Sequence, residues 1–143
     1  MSLLKYILPV LLTTFILSVP DTHDPEFVKQ FQVKHIKEGD GKNFPGLGDT
    51  IKMHYAGKLL SGKEFDSSYG NEPFEFPVGI GFVIKCWDIV SERMSVGEKI
   101  TVVCPSDLAY GERGAGNEIP PNSDLLFEME LLDIVERYEH SEL

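Results

Sequence analysis

Residues 81–97 read GFVIKCWDIVSERMSVG, with a glycine at each end and Val83, Trp87, Val90 and Met94 at steps of four, three and four. Side chains at that spacing share one face of an α-helix, since each helical residue turns the chain by about 100°. The glycines bound the segment, so the helix is short. It is the only good helix in the sequence, and its neighbours are extended. Downstream, Ile100, Val102 and Cys104 fall on one face of a strand, which points Cys104 at the core. Further on, Leu125, Phe127, Met129 and Leu131 alternate with Leu126, Glu128, Glu130 and Leu132 in a final strand.

Upstream, Ile51, Met53 and Tyr55 alternate with Lys52, His54 and Ala56, the period of a half-buried strand. Residues 59–63 turn the chain and 64–67 return beside it. Residues 73–77 carry proline at both ends, which bars a helix interior and leaves a short extended piece. Residues 27–36 alternate well enough for another strand, followed by a glycine-rich loop at 39–48. Residues 105–121, rich in Gly and Pro, form a long excursion. The inventory is about five strands and one short helix. Laying the helix across one face of an antiparallel sheet predicts an α+β domain.

The termini differ from this domain. Lys5 is the only charge in the first twenty residues, and 6–19 is almost wholly apolar. A basic start before an apolar stretch too short to span a bilayer comfortably predicts a signal peptide over 1–21, cleaved near 18–22. An uncleaved membrane anchor is the competing reading. Residues 21–26 suit an exposed leader to the domain at 22–137. The tail, 138–143, ends His140-Ser141-Glu142-Leu143, similar to the KDEL and HDEL retrieval signals with Ser for Asp. Together the two ends predict the endoplasmic reticulum lumen, with secretion as the alternative.

The chain has 23 Asp and Glu against 13 Lys and Arg, a formal charge of -10 that repels phosphates and anionic lipid. Nucleic acid is therefore a poor partner, and so is a membrane once the leader is removed. The four histidines, His23, His35, His54 and His140, lack metal-ligand spacing, and Cys86 and Cys104 form no C-x-x-C, so no metal or cofactor is predicted. For the two cysteines, a disulfide in an oxidising lumen and a pair of buried thiols both fit.

Nucleophilic catalysis has little support. There is no G-x-S-x-G turn and no glycine-rich phosphate loop. What stands out is a set of aromatics near turns and loop ends: Tyr55, Phe65, Phe74, Trp87, Tyr110 and Phe127. Each alone fits a core, but their joint placement fits a pocket.

All of these residues but Phe127 also sit within a set of seven ordered motifs. They are Tyr55-Ala56-Gly57, residues 62–68 (GKEFDSS), Pro73-Phe74, Val83-Ile84 with Trp87, residues 94–98 (MSVGE), Ala109-Tyr110-Gly111 and Ile119-Pro120-Pro121. In order and spacing they resemble the FKBP immunophilin family of peptidyl-prolyl cis-trans isomerases over about three quarters of the chain. The resemblance implies a pocket with Trp87 as floor and Tyr55, Phe65, Val83, Ile84, Tyr110, Ile119 and Phe127 as walls, with Phe74 nearby. It implies Asp66 beside the reacting amide, with Tyr55 as the partner a carboxylate in an apolar pocket needs. The Ile84 N–H and the Tyr110 hydroxyl would donate to ligand carbonyls, and 111–121 would form a flap.

The implied clients are proline-containing polypeptides, and the implied inhibitors are the macrolides tacrolimus and rapamycin. A monomer is expected. The competing function is a chaperone that uses the same pocket with little isomerase activity. The sequence departs from the family pattern at Cys86, where Gly is usual, in a loop at 69–71 one residue shorter, and at Ala115-Gly116 on the flap tip.

Overall fold

The computed structural model describes residues 20–139. The predicted leader up to residue 19 and the retrieval-like tail from His140 lie outside the described residues. In chain order the elements are α1 (Pro25–Phe31), β1 (Lys34–Lys37), β2 (Thr50–Leu59), β3 (Glu64–Ser67), β4 (Phe74–Pro77), α2 (Lys85–Arg93), β5 (Lys99–Cys104) and β6 (Leu125–Glu136). Two 3-10 turns, Ser106–Leu108 and Gly111–Arg113, lie between β5 and β6.

The six strands form one antiparallel sheet in the order β1-β5-β6-β2-β3, and β4 also pairs with β2. One edge of β2 is paired with β6 from end to end. Its other edge is shared: β4 takes 50–53 and β3 takes 56–58. Period-2 alternation explains which face is covered. Ile51 and Met53 of β2, Ile100 and Val102 of β5, and Leu125, Met129 and Leu131 of β6 are wholly buried. Register shifts in the β2–β6 ladder, at 50/51 and 52/53, mark bulges, which bend a strand. Cys86, Trp87 and Val90 of α2 join the same core.

Several details differ from the expectations. The piece at 74–77 hydrogen-bonds to β2 as a strand, so about five strands become six. α2 is shorter than its apolar repeat, with Val83 before it and Met94 capping its end. β6 continues past Leu132 to Glu136 by pairing with the start of β2.

Residues 27–36 are not one strand. Asp24 accepts a hydrogen bond from the Phe27 N–H at 3.0 Å and Pro25 occupies the first helical position, a strong helix start. Phe27 and Phe31, one helical turn apart, are both buried with ring centroids 4.8 Å apart. Gln32 ends the helix at φ +48°, and only then does β1 begin. Nor is 21–26 simply an exposed leader: Thr22 is buried, and its hydroxyl bonds Glu98 and His35.

Candidate active site

The strand pairing sets the site. Gly57 of β2 lies opposite Phe127 of β6 on one side and Asp66 of β3 on the other, so Tyr55, Phe65, Asp66 and Phe127 converge. α2 supplies Trp87 from beneath. They enclose a cavity of about 460 Å³ lined by Tyr55, Phe65, Asp66, Phe74, Gly81, Phe82, Val83, Ile84, Trp87, Tyr110 and Phe127. That volume suits a small ligand or part of a peptide.

Trp87 is 5% exposed and holds the aromatic set together. Its ring meets Tyr55 at 4.8 Å and Phe127 at 5.2 Å, both edge to face, and Phe74 at 6.3 Å. Phe65 stands edge to face against Phe127 at 5.7 Å. Such edge-on geometry places the positive rim of one ring on the negative face of another.

The polar points are few. The Tyr55 hydroxyl donates to Asp66 Oδ2 at 2.6 Å, and the Ser67 N–H donates to Asp66 Oδ1 at 2.9 Å. Burial, and then the hydrogen bond to Asp66, hold the Tyr55 hydroxyl well above the ordinary tyrosine pKa. Burial and the Asp66 charge raise Tyr110 as well. Both hydroxyls therefore remain protonated donors at neutral pH. No Ser, Cys, His or Lys lines the cavity, so the lining offers no nucleophile with an adjacent base.

Of the predicted residues, Tyr55, Phe65, Asp66, Phe74, Val83, Ile84, Trp87, Tyr110 and Phe127 all line the cavity. Ile119 does not. It is 5% exposed, paired with Ala115 across the flap and counted among the core residues. Asp66 is exposed at the rim rather than sunk among apolar groups, which removes most of the desolvation penalty expected for it.

Gly81 and Phe82 were missed. The available signal was Gly79-Ile80-Gly81-Phe82, two apolar residues each following a glycine; in the structure both glycines adopt positive φ. This loop is held by Asp88 of α2, whose carboxylate accepts from the Gly79 N–H at 2.8 Å and the Gly81 N–H at 2.9 Å. Cys86 raises the question of how a sulfur fits between helix and sheet beside Trp87. It is bonded to Cys104 of β5, with a Cα–Cα distance of 5.8 Å and both residues fully buried. Of the two alternatives for the cysteines, the disulfide is the one formed.

Comparison with known proteins returned one family model, FKBP-type peptidyl-prolyl cis-trans isomerase, matching residues 41–132. The chain is 52% identical over 103 residues to FK506-binding protein 1 of Rhizopus delemar, covering 71% of this chain and 95% of the relative. It is 50% identical over 104 residues to FK506-binding protein 1A of Emericella nidulans, covering 72% and 96%. Identity to FK506-binding protein 1 of Saccharomyces cerevisiae is 45% over 104 residues, covering 72% and 91%.

Proposed function

The chain belongs to the FKBP-type peptidyl-prolyl cis-trans isomerases, and on that premise we propose that its aromatic cavity accelerates X-Pro rotation in polypeptides folding in the secretory pathway. The observation that carries this reading is a ligand-sized aromatic cavity whose only charged group, Asp66, is hydrogen-bonded to Tyr55 at 2.6 Å. A peptide bond resists rotation by about 18–20 kcal/mol because resonance gives it double-bond character. That resonance separates charge in the planar amide, and the twisted transition state loses it. Trp87, Phe65 and Phe127 strip water from the amide, which disfavours the planar state relative to the twisted one. Tyr110 and the Ile84 N–H donate to the flanking carbonyls, and Asp66, oriented by Tyr55, faces the twisting bond. No bond is broken, so no covalent intermediate forms.

The compartment is part of the proposal. A disulfide between Cys86 and Cys104 supports an oxidising lumen, as do the apolar start and the His140-Ser141-Glu142-Leu143 end. Relatives named for FK506 support binding of tacrolimus in the same cavity of this chain; rapamycin as a second inhibitor and a monomeric state are part of the proposal.

A protease-coupled assay on a proline tetrapeptide, with and without tacrolimus, tests the site. The expected result is isomerase activity abolished by the drug and by Trp87→Ala. Activity indifferent to both would move the site elsewhere. Deleting residues 140–143 should increase secretion into the medium; unchanged retention would overturn the retrieval reading.

A further inference from the structure

Linear spacing gives the histidines no metal motif, because the groups concerned come from separate segments. His23 precedes α1, His35 lies in β1, and Glu98 stands at the turn into β5. Pairing of β1 with β5, His35 opposite Ile100, brings them together. One nitrogen of each histidine and one oxygen of Glu98 lie within 4.8 Å of one another. Glu38 adds a second carboxylate, its Oε2 3.0 Å from His23 Nε2. None of these residues lines the aromatic cavity.

We propose that His23, His35 and Glu98, with Glu38 as fourth ligand, bind a divalent transition-metal ion of the zinc class.

Glu98 is the anchor. It is 3% exposed, and among the described residues His35, 3.8 Å away, is its one basic ion-pair partner. The Ser95 N–H donates to Glu98 Oε2 at 2.9 Å, which fixes the carboxylate and leaves Oε1 to face the histidines. The Thr22 hydroxyl bridges the same pair, donating to Glu98 Oε1 and lying 3.1 Å from His35 Nε2, so an ion bound there takes its place between them. The Ser95 N–H bond, made to the oxygen the ion leaves free, is of the kind that orients a metal ligand.

The donor chemistry fits the ion. Two imidazole nitrogens and two carboxylate oxygens make a tetrahedral set that zinc accepts, and two carboxylate charges balance a dication. Bonds of about 2.0–2.2 Å put ligand atoms roughly 3.3 Å apart, so the widest gap within the His23–His35–Glu98 trio closes by roughly 1.5 Å. The closing motion can be named. The His23 and His35 rings are stacked, 4.0 Å between centroids and 7° from parallel. Parallel stacked rings cannot both hold one ion in their planes, so one ring must turn. His23 is free to do so, since its side chain is 51% exposed against 21% for His35. Three of the four ligands precede residues 41–132, the part matched to the family, so the proposed site belongs mainly to the N-terminal segment and would clamp it to β5.

The test is thermal unfolding of the full, disulfide-bonded chain, stripped with a chelator and then titrated with zinc sulfate. With a Kd of roughly 1 µM, about 100 µM zinc raises the melting temperature by about 10 °C, and chelator reverses it. Cobalt(II) in place of zinc gives the visible bands of a four-coordinate ion. His23→Ala weakens zinc binding at least about tenfold and removes those bands. Because His23 is exposed, its metal-free melting temperature and isomerase activity stay at parent values. Glu38→Gln, also at an exposed position, serves as the second variant and weakens binding in the same direction. No melting shift with zinc, or an equal shift in the parent and both variants, overturns the proposal.

Discussion

The Tyr55 hydroxyl reaches Asp66 Oδ2 at 2.6 Å while the Tyr55 ring stands edge-on to Trp87 at 4.8 Å, so one side chain ties the polar point of the cavity to its apolar floor. The two contacts are separable. Tyr55→Phe keeps the ring against Trp87 and Phe74 and removes only the hydroxyl. We expect kcat/KM for a proline tetrapeptide to fall about tenfold, a loss of ~1.4 kcal/mol in transition-state stabilisation. Unfolding free energy should change by less than about 1 kcal/mol, because the Asp66 carboxylate at the exposed rim regains water. Tyr55→Phe and Asp66→Asn should be strongly non-additive, since they remove two ends of one interaction. Additive losses would mean that Tyr55 and Asp66 act separately.

Gly57 tests the shape of the cavity rather than its polarity. A Cβ built there would lie 2.6 Å from Phe65 Cζ and 2.7 Å from Phe127 Cε1. Phe127 is 3% exposed and packed on Trp87, so it has little room to yield. Phe65 is only half-buried and is the ring that must move. Gly57→Ala should therefore reduce tacrolimus affinity and kcat/KM together, with a stability loss of about 1–3 kcal/mol. Isothermal titration and urea unfolding measure the two effects. Full affinity in the variant would show that Phe65 is not a fixed wall.

How much of this was legible in the chain depends on the range of the contacts involved. β2, β5 and β6 show clean alternation because one face of each is buried, and α2 shows its apolar stripe for the same reason. Residues 27–36 misled because Phe27 and Phe31 satisfy a helical step as readily as a broken alternation, and Asp24-Pro25 decides between them. The motif residues of the cavity converge where the ordered resemblance implies. Ile119 instead lies in the core, bridged to Ala115, a pairing no local pattern announces. Phe82 was passed over because it is 63% exposed and belongs to no periodic element. The His23–His35–Glu98 group is invisible in linear spacing, since sheet pairing alone assembles it.

The Cys86–Cys104 bond joins the first turn of α2, one residue before Trp87, to the end of β5 across 18 residues of chain. Closing a loop of that length removes unfolded-state freedom worth about 3 kcal/mol. Both cysteines are fully buried, so the reduced thiols would add no exposed polar group in compensation. Urea unfolding with and without reductant should differ by roughly that amount, and tacrolimus affinity should weaken as the helix bearing Trp87 loosens. A difference below about 0.5 kcal/mol would mean that packing alone fixes the helix.

Asp49 ties the loop before β2 to the chain just after β6 and gives the pH dependence a sign. It is 4% exposed, in the turn before β2. Its carboxylate accepts from the Gly46 N–H, the Tyr138 N–H and the Arg137 guanidinium at 2.8–2.9 Å. Burial pushes its pKa up, but the hydrogen bonds from Gly46, Tyr138 and Arg137 outweigh it and hold the carboxyl below the usual range. A folded-state pKa below the unfolded one stabilises the fold above the unfolded value, about 3.9. That contribution disappears as pH falls through the lowered folded value. Asp49→Asn should thus cost about 1.5–3 kcal/mol at pH 7, the scale of hydrogen bonds to a charged group. Parent and variant should then converge as pH drops from about 5 towards 2, as the parent carboxyl takes up its proton. Urea midpoints measured across that range would show it. A gap that persists at the acid end would assign the loss to altered packing of the 44–49 loop instead of to the charge.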